Sequence, residues 1–166
     1  MNGPPRWSPE AQRRRPILRI IVATSAAILI GGTSYWAFAC PCDQTPGLYL
    51  RGTDASAPVT DWSFANQVPL CQVQVDTGIL PHALNLNCMA ASTGELYLSC
   101  ADCEGKRWSN AALANNQARV RLDRTVYSVT LTRAVEQAEL DRAWSARAEK
   151  TGIGGDQSRP DTWWSF

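Results

Sequence analysis

Ala83–Leu122 reads ALNLNCMAASTGELYLSCADCEGKRWSNAALANNQARVRL, and the changes of period within it decide the fold. "ALNLNCMA" (Ala83–Ala90) alternates apolar and polar residues, as a strand with one buried face does. "STGE" turns the chain, and "LYLSC" (Leu96–Cys100) resumes as a strand. "KRWSNAALANNQ" then abandons the alternation: Ser109 is a candidate cap for a short helix that ends near Asn115 and Asn116. "ARVRLD" returns to period two.

Working outward, "LCQVQVD" (Leu70–Asp76) alternates in the same way and is joined to Ala83 by a turn holding Gly78 and Pro81. Short turns between such runs predict an antiparallel meander. Downstream, Asp123 and Arg124 turn the chain into "VYSVTLTRAV", and "EQAELDRAWSARAEK" places Leu140, Ala143, Trp144 and Ala148 on one face of a helix that Gly152, Gly154 and Gly155 stop. Strands with a short helix between the third and fourth, and a helix after the fifth, form an all-β barrel pattern with helical additions. The tail carries Trp163, Trp164 and Phe166, apolar surface that is costly to leave in water, so it is expected to dock on the body or on a partner subunit. Upstream, Trp62 and Phe64 sit on an irregular stretch or single helical turn and cover the core. Residues 40–60, rich in Pro, Gly, Thr, Asp and Ser around "GLYLRG", are read as a linker.

Ile20–Ala39 is twenty residues without a charge, enough at helical rise to span a hydrocarbon layer of about 30 Å. Arg6, Arg13, Arg14, Arg15 and Arg19 precede it, so by the positive-inside tendency residues 1–19 stay cytoplasmic and the rest is exported across a bacterial-type inner membrane to the periplasm or beyond. Trp36 suits an interfacial anchor, whereas Ala37-Phe38-Ala39 has the form of a signal-peptidase site. An uncleaved anchor is the favoured reading, and a cleaved signal stays open.

Of 16 basic and 15 acidic residues, five and one respectively precede Cys40, which leaves 11 against 14 and a net charge near −3 beyond it. A mildly acidic body argues against nucleic-acid binding, which requires a basic face. Six cysteines (Cys40, Cys42, Cys71, Cys88, Cys100, Cys103) in an oxidising compartment point to disulfides, with Cys88 expected to join Cys100 or Cys103, and Cys71 another of these or the Cys40/Cys42 region. Cys100-x-x-Cys103 also admits a redox pair, but Asp102 and Glu104 would raise its thiol pKa. As a zinc grip it lacks a second such motif, and no metal site is expected. His82, the single histidine, reads as a surface or hydrogen-bonded residue. No hydrolase or phosphate-loop motif appears, so no catalytic residue is assigned.

The run from Ala83 to Trp144 resembles the split β-barrel of the flavin-binding pyridoxamine-phosphate-oxidase-like superfamily, including its deazaflavin-dependent nitroreductase branch. The resemblance lies in Lys106-Arg107-Trp108-Ser109-Asn110, Leu113, Asn115-Asn116-Gln117, the "ARVRL" strand and the closing "AVEQAELDRAW" helix, and it covers about Val68–Lys150. Gln117 stands where that family has a proline. The resemblance implies an exported split-barrel domain over 61–166, flavin mononucleotide or a related flavin as cofactor, and dimers with the site between subunits. It also implies that Lys106 and Arg107 grip the flavin phosphate, that Asn87 and Ser99 line the ring, and that Trp108 walls it or packs. A Lys point charge and a bidentate Arg before a helix start are what a phosphate dianion requires. Flavin-dependent oxidoreductase chemistry and a non-catalytic envelope domain binding a small ligand or a protein are the two functions left open.

Overall fold

The computed structural model describes residues 9–166, with side chains from 16 onward, so Arg6 and the side chains of Arg13, Arg14 and Arg15 lie outside the described residues. The chain divides into two compact units, one ending at Ala37 and one spanning Phe38–Phe166.

The first unit consists of helix α1 (Pro9–Ala39), whose last residues enter the second. Ile17, Leu18, Ile20, Ile21, Val22, Ile28, Leu29 and Ile30 are all exposed along it. Pro16–Ala39 is long and apolar enough to cross a membrane, as a signal sequence also is.

In the second unit the strands are β1 (Thr53–Asp54), β2 (Cys71–Asp76), β3 (Pro81–Ala90), β4 (Leu96–Cys100), β5 (Gln117–Leu122), β6 (Thr125–Thr130) and β7 (Trp164–Ser165). A 3-10 turn covers Ser63–Gln67, and helices α2 (Arg107–Ala114) and α3 (Gln137–Thr151) complete the set. The sheet order is β1-β6-β5-β2-β3-β4-β7. The expected meander is β2-β3-β4, antiparallel throughout, and β5 and β6 form the expected hairpin. Asp123 takes a left-handed φ of 51° at its turn, which Asp tolerates better than most residues.

The sheet curls until its far edges meet. After β6, Leu131 N–H still donates to Asn116 O, and Ala134 N–H donates to Ser165 O across 2.9 Å. That bond links the β6 extension to β7, which itself pairs with β4. The result is a mainly-β split barrel, closed at one end by Ala134 and Ser165. The aromatic tail therefore docks on its own body: Leu98 and Phe166 exchange both backbone bonds, and Trp163 and Phe166 are buried.

Strand alternation sets the faces. Cys71, Val73 and Val75 point inward with Leu84, Leu86, Cys88, Leu98, Val120 and Leu122, and form the barrel core. A second cluster on the outer face of β3 and β4 packs Met89, Tyr97 and Trp163 against Ala143 and Ala146 of α3, with Leu140 and Trp144 at its margin. Lys150 at the end of α3 donates to Ala65 O at 2.8 Å and to Cys88 O, which ties the helix to the barrel.

The outward polar residues of β2 and β5 have a use the alternation alone does not show. Gln74 Oε1 accepts Leu50 N–H at 2.7 Å, Gln72 Nε2 donates to Pro41 O at 3.1 Å, and Arg121 donates to Arg51 O at 2.7 Å. Arg119 pairs with Asp54 at 2.6 Å. Gly47 and Ala83 exchange backbone bonds of 2.8 and 3.0 Å. The 40–60 stretch read as a linker is thus laid along the outer face of the sheet for much of its length, because side-chain amides and guanidinia there satisfy its backbone groups.

The disulfides are Cys40–Cys42, Cys71–Cys88 and Cys100–Cys103. This corrects the expected pairing of Cys88 with Cys100 or Cys103. Cys71 lies opposite Leu86, so Cys88 is its diagonal neighbour on the same face, with Cα atoms 5.7 Å apart. Cys100 is one strand further on, and the left-handed Asp102 lets the chain turn back so that Cys103 meets it. The helix start is also corrected: α2 begins at Arg107 with Lys106 as its cap residue. Ser109 lies inside the first turn, and its hydroxyl donates to Cys103 O and Lys106 O.

Candidate functional site

A cleft of about 500 Å³ opens beside β3 and β4, a volume within the range of small-molecule sites. Asn85 and Asn87 of β3, Ser99 of β4, Ala101 and Lys106 of the following loop, and Trp108 line it. The turn Asp43–Pro46 forms its other wall, and Leu70, Leu84 and Leu86 add apolar surface. Four residues singled out in the sequence, Asn87, Ser99, Lys106 and Trp108, therefore meet at one place.

The register explains part of this convergence. Asn87 lies opposite Ser99, and Ser99 opposite Ser165, so the three form a row across adjacent strands. Ser99 is 1 % exposed, and neither its hydroxyl nor that of Ser165 has a hydrogen-bond partner among the described residues. A buried hydroxyl without a partner costs free energy, and of the row only Asn87 and Ser99 line the cleft. Trp108 is buried, with its ring 5.3 Å from that of Phe166. Its main work is packing, and it reaches the cleft only as part of the wall.

The basic pair separates. Lys106 faces the cleft, and its Nζ donates to Ala101 O at 2.9 Å, which steadies the loop closed by Cys100–Cys103. Arg107 turns the other way and donates to the Thr77 hydroxyl at 2.7 Å, on the β2–β3 hairpin. Consecutive residues entering a helix point about 100° apart, so two neighbours seldom serve one small anion through their side chains. The Lys-Arg clamp expected from the sequence is not assembled, and the cleft holds one cation. The acidic loop residues Asp102 and Glu104 are exposed, and Asp43 is on the opposing wall.

Sequence reasoning missed the Asp43–Pro46 wall, which was read as linker. Thr45 and Cys42 exchange backbone bonds of 2.7 and 3.0 Å, and Asn85 Nδ2 donates to Asp43 O at 2.6 Å. The signal available was Cys40-Pro-Cys42 itself, since a disulfide across one residue fixes a tight turn at that point. His82 is half-buried at the barrel mouth. Desolvation, and secondarily the Arg107 guanidinium, holds its pKa below the ordinary 6.5.

A second hollow of about 340 Å³ lies in the split between β4 and β6, lined by Trp62, Leu96, Leu98, Val129, Leu131 and Phe166 among others. Trp62, which lines it, stacks on Phe64 and meets Tyr127 edge-on with ring centroids 5.0 Å apart.

No family model matches the chain, and no curated protein matches it. Among solved structures it is similar to a Listeria innocua protein provisionally assigned as a pyridoxamine 5'-phosphate oxidase, at 13 % identity and a TM-score of 0.48, over 61 % of this chain and 82 % of that one. A likeness of that depth assigns neither fold nor function; the split barrel rests on the strand pairing and closure described above.

Proposed function

We propose that residues 38–166 are an exported, membrane-tethered ligand-binding domain whose cleft beside β3 and β4 takes a small molecule carrying one anionic group. The convergence of Lys106, Asn87 and Ser99 on one cleft carries this reading. Lys106 supplies the charge, Asn87 and Ser99 supply hydrogen bonds, and Leu70, Leu84 and Leu86 supply apolar contact. Three disulfides suit an oxidising compartment, and α1 supplies the tether.

Flavin mononucleotide fits this cleft only in part. The volume and the polar row suit its ring system, but its phosphate would meet Lys106 alone, with Arg107 held by Thr77 and Asp43 on the facing wall. Flavin-dependent oxidoreduction is the second reading, favoured by the size of the cleft and by the neighbouring Lys106. Titration of the full chain with flavin mononucleotide, followed by quenching of flavin fluorescence, tests both readings. Saturable micromolar binding, weakened about tenfold or more by Lys106→Ala, is expected if flavin is the ligand, since a charge-assisted contact contributes about 1.5–3 kcal/mol. Binding that Lys106→Ala leaves unchanged would remove the cleft as the site, and a folded chain that binds no flavin would remove the second reading.

A further inference from the structure

We infer that the ligand of this cleft is drawn from the membrane: a single-chain amphiphile with one negatively charged headgroup. The inference rests on the cleft reading above and on α1 as a retained anchor. Three observations on the chain's own course support it.

First, the cleft wall Asp43–Pro46 follows the last residue of α1 by only four to seven residues. A fully extended chain spans at most about 3.6 Å per residue, so that wall stays within about 25 Å of the end of the anchor. The Cys40–Cys42 disulfide and the Cys42–Thr45 bonds shorten the path further. An embedded α1 therefore tethers the segment that forms this wall by a short run of chain.

Second, the same stretch carries the marks of an interface. Phe38 stacks on Tyr49 with ring centroids 5.5 Å apart, and the Arg51 guanidinium lies 4.6 Å from the Phe38 ring. Both rings are exposed, and Tyr is among the residues enriched at headgroup depth.

Third, the lining is two-sided. Leu70, which is 46 % exposed, stands with Pro46 and the half-buried Leu84 as apolar surface, while Asn87, Ser99 and Lys106 line the other side and bring one cation. A wholly polar solute leaves Leu70 uncovered, and an uncharged hydrocarbon leaves Lys106 without a counter-charge. A headgroup with its first stretch of chain satisfies both. Asp43 opposes more than one negative charge.

The probe is a dansyl-labelled long-chain carboxylate added to the full chain in phosphatidylcholine nanodiscs, with energy transfer from protein tryptophan as the readout and empty nanodiscs as the blank. The inference predicts saturable transfer that palmitate displaces and that neither hexanoate nor flavin mononucleotide displaces. Lys106→Gln should weaken it tenfold or more, and Lys106→Arg should restore most of it. Thiol counting confirms that each variant retains its disulfides. Transfer indifferent to Lys106→Gln would overturn the inference by placing the amphiphile elsewhere. Binding of flavin or hexanoate without the long-chain carboxylate would also overturn it, while leaving the cleft as a ligand site. A folded chain that binds none of the three probes would remove the inference and the cleft reading together.

Discussion

The Arg107 guanidinium lies 2.7 Å from the Thr77 hydroxyl, so the residue beside Lys106 braces the β2–β3 hairpin instead of facing the cleft that Lys106 lines. Two adjacent charges thus have separate duties. In the proposed site Lys106 supplies the charge, while Arg107 braces the hairpin and adds a lesser depression of the His82 pKa to that from desolvation.

The second duty is measurable because the chain has one histidine, whose ring protons give a single titration by nuclear magnetic resonance. Its midpoint is expected below 6.5, chiefly from desolvation and then from Arg107. Arg107→Gln should move it upward without restoring 6.5, since burial remains. Because the folded pKa is depressed, the unfolded chain binds more protons in the window between the folded value and 6.5. Stability should therefore rise with pH through that window, fall as pH drops through it, and level off on either side. A midpoint unmoved by Arg107→Gln would contradict the geometry.

Cys71–Cys88 joins neighbouring strands across a sequence separation of 17, a loop whose closure contributes about 3 kcal/mol in the chain-entropy account. Replacing both cysteines by serine should lower stability by roughly that amount in denaturant unfolding. Cys40–Cys42, with a separation of 2, should matter less for global stability. Equal losses from the two double variants would contradict this ordering.

Phe166 fills the barrel end beneath Trp108 and pairs its backbone with Leu98. Truncating a buried aromatic ring costs about 3–5 kcal/mol, so Phe166→Ala should destabilise the domain severely in thermal unfolding. A loss within about 0.5 kcal/mol, as for an ordinary surface substitution, would show that the tail is not part of the barrel.

Much of this fold was legible because its strands are half-buried. Cys71–Asp76 and Gln117–Leu122 alternate cleanly, and Gly152, with φ of 68°, ends α3 where glycine was expected to stop it. What was not legible depends on partners remote in sequence. The two-residue strands β1 and β7 have no period to read, and Ser165 acquires its role only because the chain brings Ala134 to it. The 40–60 stretch lacks apolar alternation because its order comes from Gln72, Gln74 and Arg121 of other strands.

Asn87 and Ser99 were named from the family resemblance and line the cleft, and the position of Lys106 before a short helix was readable locally. The separation of Arg107 from Lys106 was not, because it follows from the hairpin presenting Thr77. The disulfide pairing was missed for the same reason: a diagonal relation such as that of Cys71 to Cys88 requires the register, which one-dimensional spacing does not contain.

Hydrogen–deuterium exchange of the full chain, with and without a saturating ligand, tests the central claim most directly. The account predicts slowed exchange in three separated segments, Asp43–Gly47, Asn85–Asn87 and Ser99–Lys106, which only the cleft brings together. Slowing confined instead to Thr60–Trp62, Glu95–Leu98 and Val129–Leu131 would place the ligand in the split between β4 and β6 and contradict it.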